Sequence, residues 1–198
     1  QQQRDMPQAV GEKLTHIRNA TQEIQEIVQK IVQISGLRSM RRVLMNPNDC
    51  LRVVLALFET QIRQAAIDLQ LMGLDEEDCR IQGDPEQFLQ ALIAIVHRSI
   101  ASIHPDQEDR RLVIECADRD DCFEMIFEDT GAPPEAFDSD DYLDPLLPFD
   151  QLQEGLIFNY TIPRSILRRH KGSLEILQPA HAGKRIRVRI PLAEVVAS

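Results

Sequence analysis

The sequence predicts an α+β domain, with helices grouped on one face of a mixed sheet, preceded by one long helix. Three observations lead there. Alternating strand-like runs are interspersed with helical runs of 3.6-residue period, and the helices are grouped between runs of strands. A heptad seam occupies the N-terminal part of the chain. The 198 residues, 43% of them apolar, leave room for one ordinary domain and a little more.

The long helix is expected over residues 8–40. Its apolar residues fall at Val10, Leu14, Ile17, Ile24, Val28 and Ile31, with Thr21 the one polar entry, and Ile27 and Ile34 widen the stripe. The opposite face carries Gln, Glu, Lys and Arg. Such a seam needs a partner helix, and the strict 3.5 period favours a second chain, giving a homodimer through this helix. Packing on its own domain is the alternative. Ser35-Gly36 loosens the helix end, and Arg38, Arg41 and Arg42 suit the negative end of its dipole.

The α/β domain is expected over residues 43–194. Asn46-Pro47-Asn48-Asp49 reads as a turn with an N-cap, opening a helix through Leu51, Val54, Leu55, Phe58, Ile62 and Ala65. Ile67 to Met72 alternates as a strand, and Arg80 to Gln82 forms a short one. Gly83-Asp84-Pro85-Glu86 starts a helix with Phe88, Leu92, Ile95, Val96 and Ile100 inward. Leu112 to Cys116 and Cys122 to Phe127 form a hairpin around Asp118-Arg119-Asp120-Asp121. Residues 131–155 are a Pro- and Asp-rich connection with little periodicity. Ile162 to His170 is helical, with Lys171-Gly172 as a glycine stop. Ser173 to Leu177 and Arg185 to Ile190 close the domain as a second hairpin.

Composition removes several function classes. Twenty-two basic against 32 acidic side chains give a net charge of −10, which argues against a nucleic-acid surface. No apolar run approaches the ~20 residues of a bilayer span, so no membrane segment is expected in this chain. The chain has 8 glycines, no two of them close together, which excludes a Walker-type loop and a dinucleotide fingerprint. Cys50, Cys79, Cys116 and Cys122 form no C-x-x-C pair, and no histidine clusters with them. Idle thiols of this kind fit a reducing cytoplasm. An opening at Gln1 rather than methionine fits a trimmed tail or a piece of a longer protein.

The order of motifs resembles the sensor histidine kinases. Gly83-Asp84-Pro85-Glu86-Gln87-Phe88-Leu89-Gln90-Ala91-Leu92 is similar to the opening of their ATP-binding helix. Ile34-Ser35-Gly36-Leu37-Arg38 is similar to the exit from their dimerisation helix. Asp129-Thr130-Gly131, then Pro148-Phe149, then His170-Lys171-Gly172-Ser173 follow in the family's order. The likeness covers roughly residues 20–192 and is specific as an ordered set. It implies the two-layer α/β sandwich shared with gyrase and Hsp90 ATPases, preceded by the last helix of a dimerisation domain. It also implies ATP with Mg²⁺ as cofactors and a response regulator as partner.

By this resemblance Asp129 would accept the adenine amino group's hydrogen bond, with Gly131 letting backbone approach the base. A simple strand-end turn is the other reading of these residues. The family's helix supplies two asparagines, one of which holds Mg²⁺; the matching positions here are Ala94 and Arg98. Alanine offers no ligand, and a guanidinium would repel Mg²⁺ while being able to pair with a phosphate. Pro133 replaces the second glycine of the Asp-x-Gly-x-Gly box. In the lid, Gly155-Leu156-Ile157-Phe158-Asn159-Tyr160 keeps only the first glycine, and branched or aromatic side chains obstruct backbone closure over phosphates. The candidate nucleotide-binding residues are therefore Asp129, Gly131, Arg98, Gly155 and Asn159, with no catalytic residue and no metal ligand assigned. His16 faintly echoes a phosphoacceptor but lacks the following acid, and sits too near the α/β domain for two long antiparallel helices.

Residues 75–150 carry 22 acidic and 5 basic side chains, while residues 164–189 carry eight basic residues against Glu175 alone. This reads as two faces balancing within one domain, with a docking surface for a charged partner as the alternative. The expected function is two-component signal transduction by a histidine-kinase-like region whose ATP site is degenerate, weak or inactive. A non-catalytic pseudokinase or phosphotransfer scaffold that dimerises and docks a response regulator is the second reading. A plain interaction module without phosphoryl chemistry is the third.

Overall fold

The computed structural model describes residues 40–74, 79–132, 158–177 and 183–193. The heptad segment up to residue 39 and the connection 133–157 lie outside the described residues, so the coiled-coil expectation falls there too.

The chain enters through β1 (Val43–Met45) and turns at Asn46 into α1 (Pro47–Gln64). The Asn46 side chain accepts the Asn48 N–H at 2.8 Å, and Pro47 fills the first helical position, where no backbone donor is needed. Leu51, Val54, Leu55, Phe58 and Ile62 are buried along one face of α1. After β2 (Asp68–Met72) and β3 (Ile81–Gly83) comes α2 (Pro85–Ser102), capped by Asp84. Phe88, Ala91, Leu92, Ile95 and Val96 form its buried stripe. β4 (Arg111–Arg119) and β5 (Cys122–Asp129) make the foreseen hairpin, with Asp120 in the left-handed region at φ 56°. The strands run further than alternation alone suggested, leaving only Asp120-Asp121 as the loop. α3 (Phe158–Arg169), β6 (Ser173–Leu177) and β7 (Lys184–Pro191) complete the order.

The main sheet has strand order β2-β4-β5-β7-β6, with β2 parallel to β4 and all other pairs antiparallel. A parallel pair requires a crossover, and β3 with α2 supplies it. A separate two-stranded sheet joins β1 to β3, extended by a bridge from Ile81 to Leu192. β1 was not legible beforehand, because three residues carry no period.

One face of the main sheet takes the helices. Leu112, Ile114, Cys116, Phe123, Met125, Phe127, Ile186, Val188 and Ile190 alternate onto it and are buried. The opposite face is polar and self-paired. Arg185 Nε lies 3.5 Å from Glu128, Arg189 Nε 3.6 Å from Glu124, Arg119 Nε 3.2 Å from Glu124, and Arg187 bonds Glu175. Strand register places Glu124 opposite Arg189 and Glu128 opposite Arg185. The basic strand is thus balanced inside the domain. Glu124 is itself buried, but the exposed and half-exposed pairs contribute only about 0.2–1 kcal/mol each, against about 1.5–3 kcal/mol for one buried core side chain. The apolar face, not the charge ladder, holds the layers together. Cys50, Cys79 and Cys116 are buried, and burial followed by the Asp49 charge pushes the Cys50 thiol up to about 11. No helix among the described residues is long and apolar enough to cross a membrane.

Two helix ends depart from expectation. α3 begins four residues before Ile162, with Pro163 inside it rather than at its start. Its C-terminal stop does not use glycine as the left-handed residue: Lys171 takes that place at φ 59°. Gly172 N–H reaches back to Leu167 O at 2.8 Å, and Lys171 N–H to Arg168 O at 2.9 Å, the paired bonds of a Schellman motif. Gly172 is needed for another reason, since a Cβ there would lie 2.3 Å from Arg189 O. α1 ends the same way, with Ala66 at φ 50° and Ile67 N–H bonded to Ile62 O at 3.0 Å. A left-handed conformation costs a residue with a Cβ roughly 1–2 kcal/mol, part of which glycine's greater unfolded-state freedom offsets. Ala66→Gly and Lys171→Gly should therefore each stabilise the domain by about 0.5–1 kcal/mol. Urea unfolding measures this, and a loss of stability in both variants would refute the assignment.

Candidate functional site

The polar cluster that matters lies where β5, β7 and the end of α2 meet. Asp129 is the last residue of β5 and Lys184 the first of β7, and register sets them directly opposite. Both point to the helical side, where their side chains are 0% and 5% exposed. Lys184 Nζ lies 3.1 Å from Asp129 Oδ2 and 3.4 Å from Oδ1. It also donates to Ser102 Oγ at 2.5 Å and to the Arg98 carbonyl at 3.5 Å. Asp129 Oδ1 accepts further from Gly131 N–H at 3.0 Å and stands 3.1 Å from Ser102 Oγ. Burial pushes the Lys184 ammonium below its ordinary value, Arg98 adds to that, and Asp129 opposes both.

The turn after β5 is pinned from outside. Thr130 Oγ1 accepts the Arg111 N–H at 2.9 Å and donates to Asp109 O at 2.8 Å, while the Gln107 amide donates to Thr130 O at 2.8 Å. Ala132 N–H reaches Ser102 O at 3.0 Å. Gly131 packs so tightly on Ser102 that a Cβ would meet its Oγ at 2.3 Å. The space its missing side chain leaves is filled by α2.

Among the sequence-predicted residues, Asp129 and Gly131 are bonded to each other, and Arg98 joins them through its carbonyl. Ala94 is half-buried one turn earlier on α2 and offers no ligand atom. His97 is exposed, its ring 6.0 Å from that of Phe58. Asn159 lies in the first turn of α3, with its side chain outside the described residues, and Gly155 lies wholly outside them. Tyr160 on the next position is buried, its hydroxyl without a hydrogen-bond partner among the described residues. Burial first and the Asp129 charge second push its phenol well above the usual range, with Arg98 opposing. Among the described residues no group of three His, Cys, Asp or Glu side chains could hold a metal ion.

Sequence reasoning missed Lys184 and Ser102. Lys184 shares the inward parity of Ile186, Val188 and Ile190, and a charge at an inward position of a strand must have a partner. That parity was the available signal.

A second polar hub sits at the far end of α2. Asp84 Oδ1 accepts the Glu86 and Gln87 N–H groups at 3.1 and 3.2 Å, and Oδ2 accepts the Arg41 N–H at 2.9 Å. Burial presses its carboxyl upward, but the N–H groups of Arg41, Gln87 and Glu86 and the Gln87 amide outweigh it and hold it below 3.8. The Asp84 N–H in turn donates to His170 Nε2 at 3.0 Å, so Nδ1 carries the proton and donates to Ile166 O at 2.8 Å. A small cavity of about 230 Å³ opens on the other sheet face beside Met72, Val113, Ile126 and Glu128, and reaches the strand end at Asp129 and Thr130.

No protein-family model and no curated protein matches the chain. Solved structures do. The catalytic domain of histidine kinase ThkA is 25% identical, with a TM-score of 0.64 over 77% of this chain and 96% of that one. The Acinetobacter baumannii histidine kinase AdeS is 17% identical, with a TM-score of 0.62 over 91% of this chain and 82% of that one. Histidine kinase ThkA in complex with response regulator protein TrrA is 24% identical, with a TM-score of 0.68 over 89% of this chain and 49% of that one. The chain has the α+β fold of histidine kinase ATP-binding domains.

His170 makes the domain acid-sensitive. Burial lowers its pKa below the ordinary 6.5, with the bonds to Ile166 and Asp84 and the Asp84 charge opposing and Arg169 adding to the shift. The unfolded chain therefore takes up the proton first as pH falls. The contribution of neutral His170 is full above 6.5 and is lost as pH drops through its lowered folded value. Urea unfolding between pH 7 and 5 should show falling stability in the natural chain and a flatter profile in His170→Gln; equal slopes would refute it.

Proposed function

We infer that this chain is a two-component signal-transduction protein whose histidine-kinase-like domain, over residues 43–194, binds ATP weakly or not at all. The carrying observation is the state of Asp129. By the family resemblance its carboxylate would read the adenine amino group, yet here it is fully buried and engaged by Lys184, Ser102 and Gly131. An incoming base would have to displace an ammonium from a low-dielectric site, which leaves a buried charge unpaired. Ala94 and Arg98 add to this, since Mg²⁺ takes oxygen ligands and neither side chain offers one. The residues present do not fit a bound Mg-nucleotide, and no phosphoryl step is derived through one. Pro133, Ile157 and Asn159 stand where the resembling family has glycine.

The likeness to a kinase solved with its response regulator supports docking of a response regulator by this chain. The heptad seam of residues 8–40 supports homodimerisation, and the idle thiols support a cytoplasmic setting. A scaffold that dimerises and docks without catalysis is the form of this reading that loss of ATP binding favours.

Calorimetry with Mg-ATP should give no binding heat, before and after Asp129→Asn, with circular dichroism confirming that the variant is folded. Micromolar affinity abolished by Asp129→Asn would overturn the reading. For the dimer, sedimentation at tens of micromolar should show two chains; a monomer there would refute the coiled coil.

A further inference from the structure

We propose that Lys184 is an internal lock on the base-reading position, and that this single side chain keeps adenine out. The proposal rests on the reading of Asp129 as the base-reading carboxylate. It goes further by assigning the block to one residue and making it reversible.

The ammonium satisfies all its hydrogen-bonding capacity within the chain. Its contacts go to Ser102 Oγ, the Asp129 carboxylate and the Arg98 carbonyl. An ammonium has three protons, so no donor is left for a ligand. Asp129 Oδ1 takes Gly131 N–H, Ser102 and the lysine, while Oδ2 makes no hydrogen bond among the described residues and has the ammonium 3.1 Å away as its ion-pair partner. The pair stands in register on adjacent strands, so it is held by the β5–β7 ladder rather than by a mobile loop. A ligand amino group and the ammonium would compete for one buried carboxylate, and the ammonium is covalently tethered beside it. Its charge strengthens its hold on Asp129 relative to a neutral amino donor. Arg98 and Ala94 concern phosphates and metal, whereas Lys184 concerns the base. The two defects are separable by choosing a ligand without phosphates.

Adenosine, without metal, is therefore the probe, added to the full 198-residue chain. Lys184→Thr shortens the side chain while leaving a hydroxyl near Asp129. Lys184→Gln removes the charge but keeps an amide donor, protecting the fold if the threonine variant fails to form. Calorimetry and thermal shift should show no saturable adenosine binding to the natural chain. The folded variants should bind at least tenfold more tightly, with the threonine variant the stronger where both fold. Combining Asp129→Asn with either substitution should abolish the gain.

A folded threonine variant with no gain would overturn the lock; if that variant does not fold, a folded glutamine variant with no gain does so. A gain that survives Asp129→Asn would overturn it too. Adenosine binding by the natural chain would separate the two readings. If Lys184→Thr or Lys184→Gln leaves that affinity unchanged, the lock fails. If affinity rises tenfold, Lys184 weakens base binding without excluding it, and the claim of lost binding falls.

Discussion

A charge on the inward side of a strand has to be matched, and in this domain the β5–β7 register makes the match. Asp129 and Lys184 sit directly opposite each other, on the face where the neighbouring inward residues are Phe127 and Ile186. Either charge alone would be costly at that depth. Together they fix the end of the hairpin, and through Ser102 they fix where α2 stops. The turn that follows is then closed by Gly131 and Ala132 against the same serine.

The other end of α2 is held by an independent polar centre. Asp84 caps the helix, receives the incoming chain at Arg41, and hands its own N–H to His170 at the end of α3. One helix is thus tied at its start to the chain entry and to α3, and at its finish to the sheet. The apolar stripe between those ends supplies most of the stabilisation, because buried side chains outweigh exposed ion pairs. The polar centres set position instead. The same division appears on the open sheet face, where arginines of β7 and glutamates of β5 and β6 neutralise one another and leave little net charge to direct a partner.

The fold likeness to histidine kinase catalytic domains and the chemistry of the cluster point in different directions. The scaffold has the fold of those domains, while the carboxylate at the place the family resemblance assigns to the base is buried and paired with Lys184. A domain can lose a ligand without losing its fold when an internal group replaces the ligand's interaction. In the proposed reading Lys184 is such a group, since its ammonium pairs with the buried carboxylate.

Much of the fold was legible from local chemistry. Asn46-Pro47 and Asp84-Pro85 announce two helix starts, because a capping side chain followed by proline satisfies the first turn without distant help. Alternation announced β4, β5, β6 and β7, since a half-buried strand must place every second residue inward. The likeness in motif order pointed to Asp129, Gly131 and Arg98. Other features depended on contacts between residues remote in the chain. β1 exists because β3 pairs with it, and Gly172 is required by the approach of Arg189 O while Lys171 takes the left-handed place in the helix stop. The partner of Asp129 lies 55 residues away, and only strand register brings it opposite. The sequence by itself determined most of the elements and their inward faces, and its motif order pointed to Asp129. The tertiary structure decided what that carboxylate holds, because a hydrogen bond across a sheet has no signature in the local order of residues.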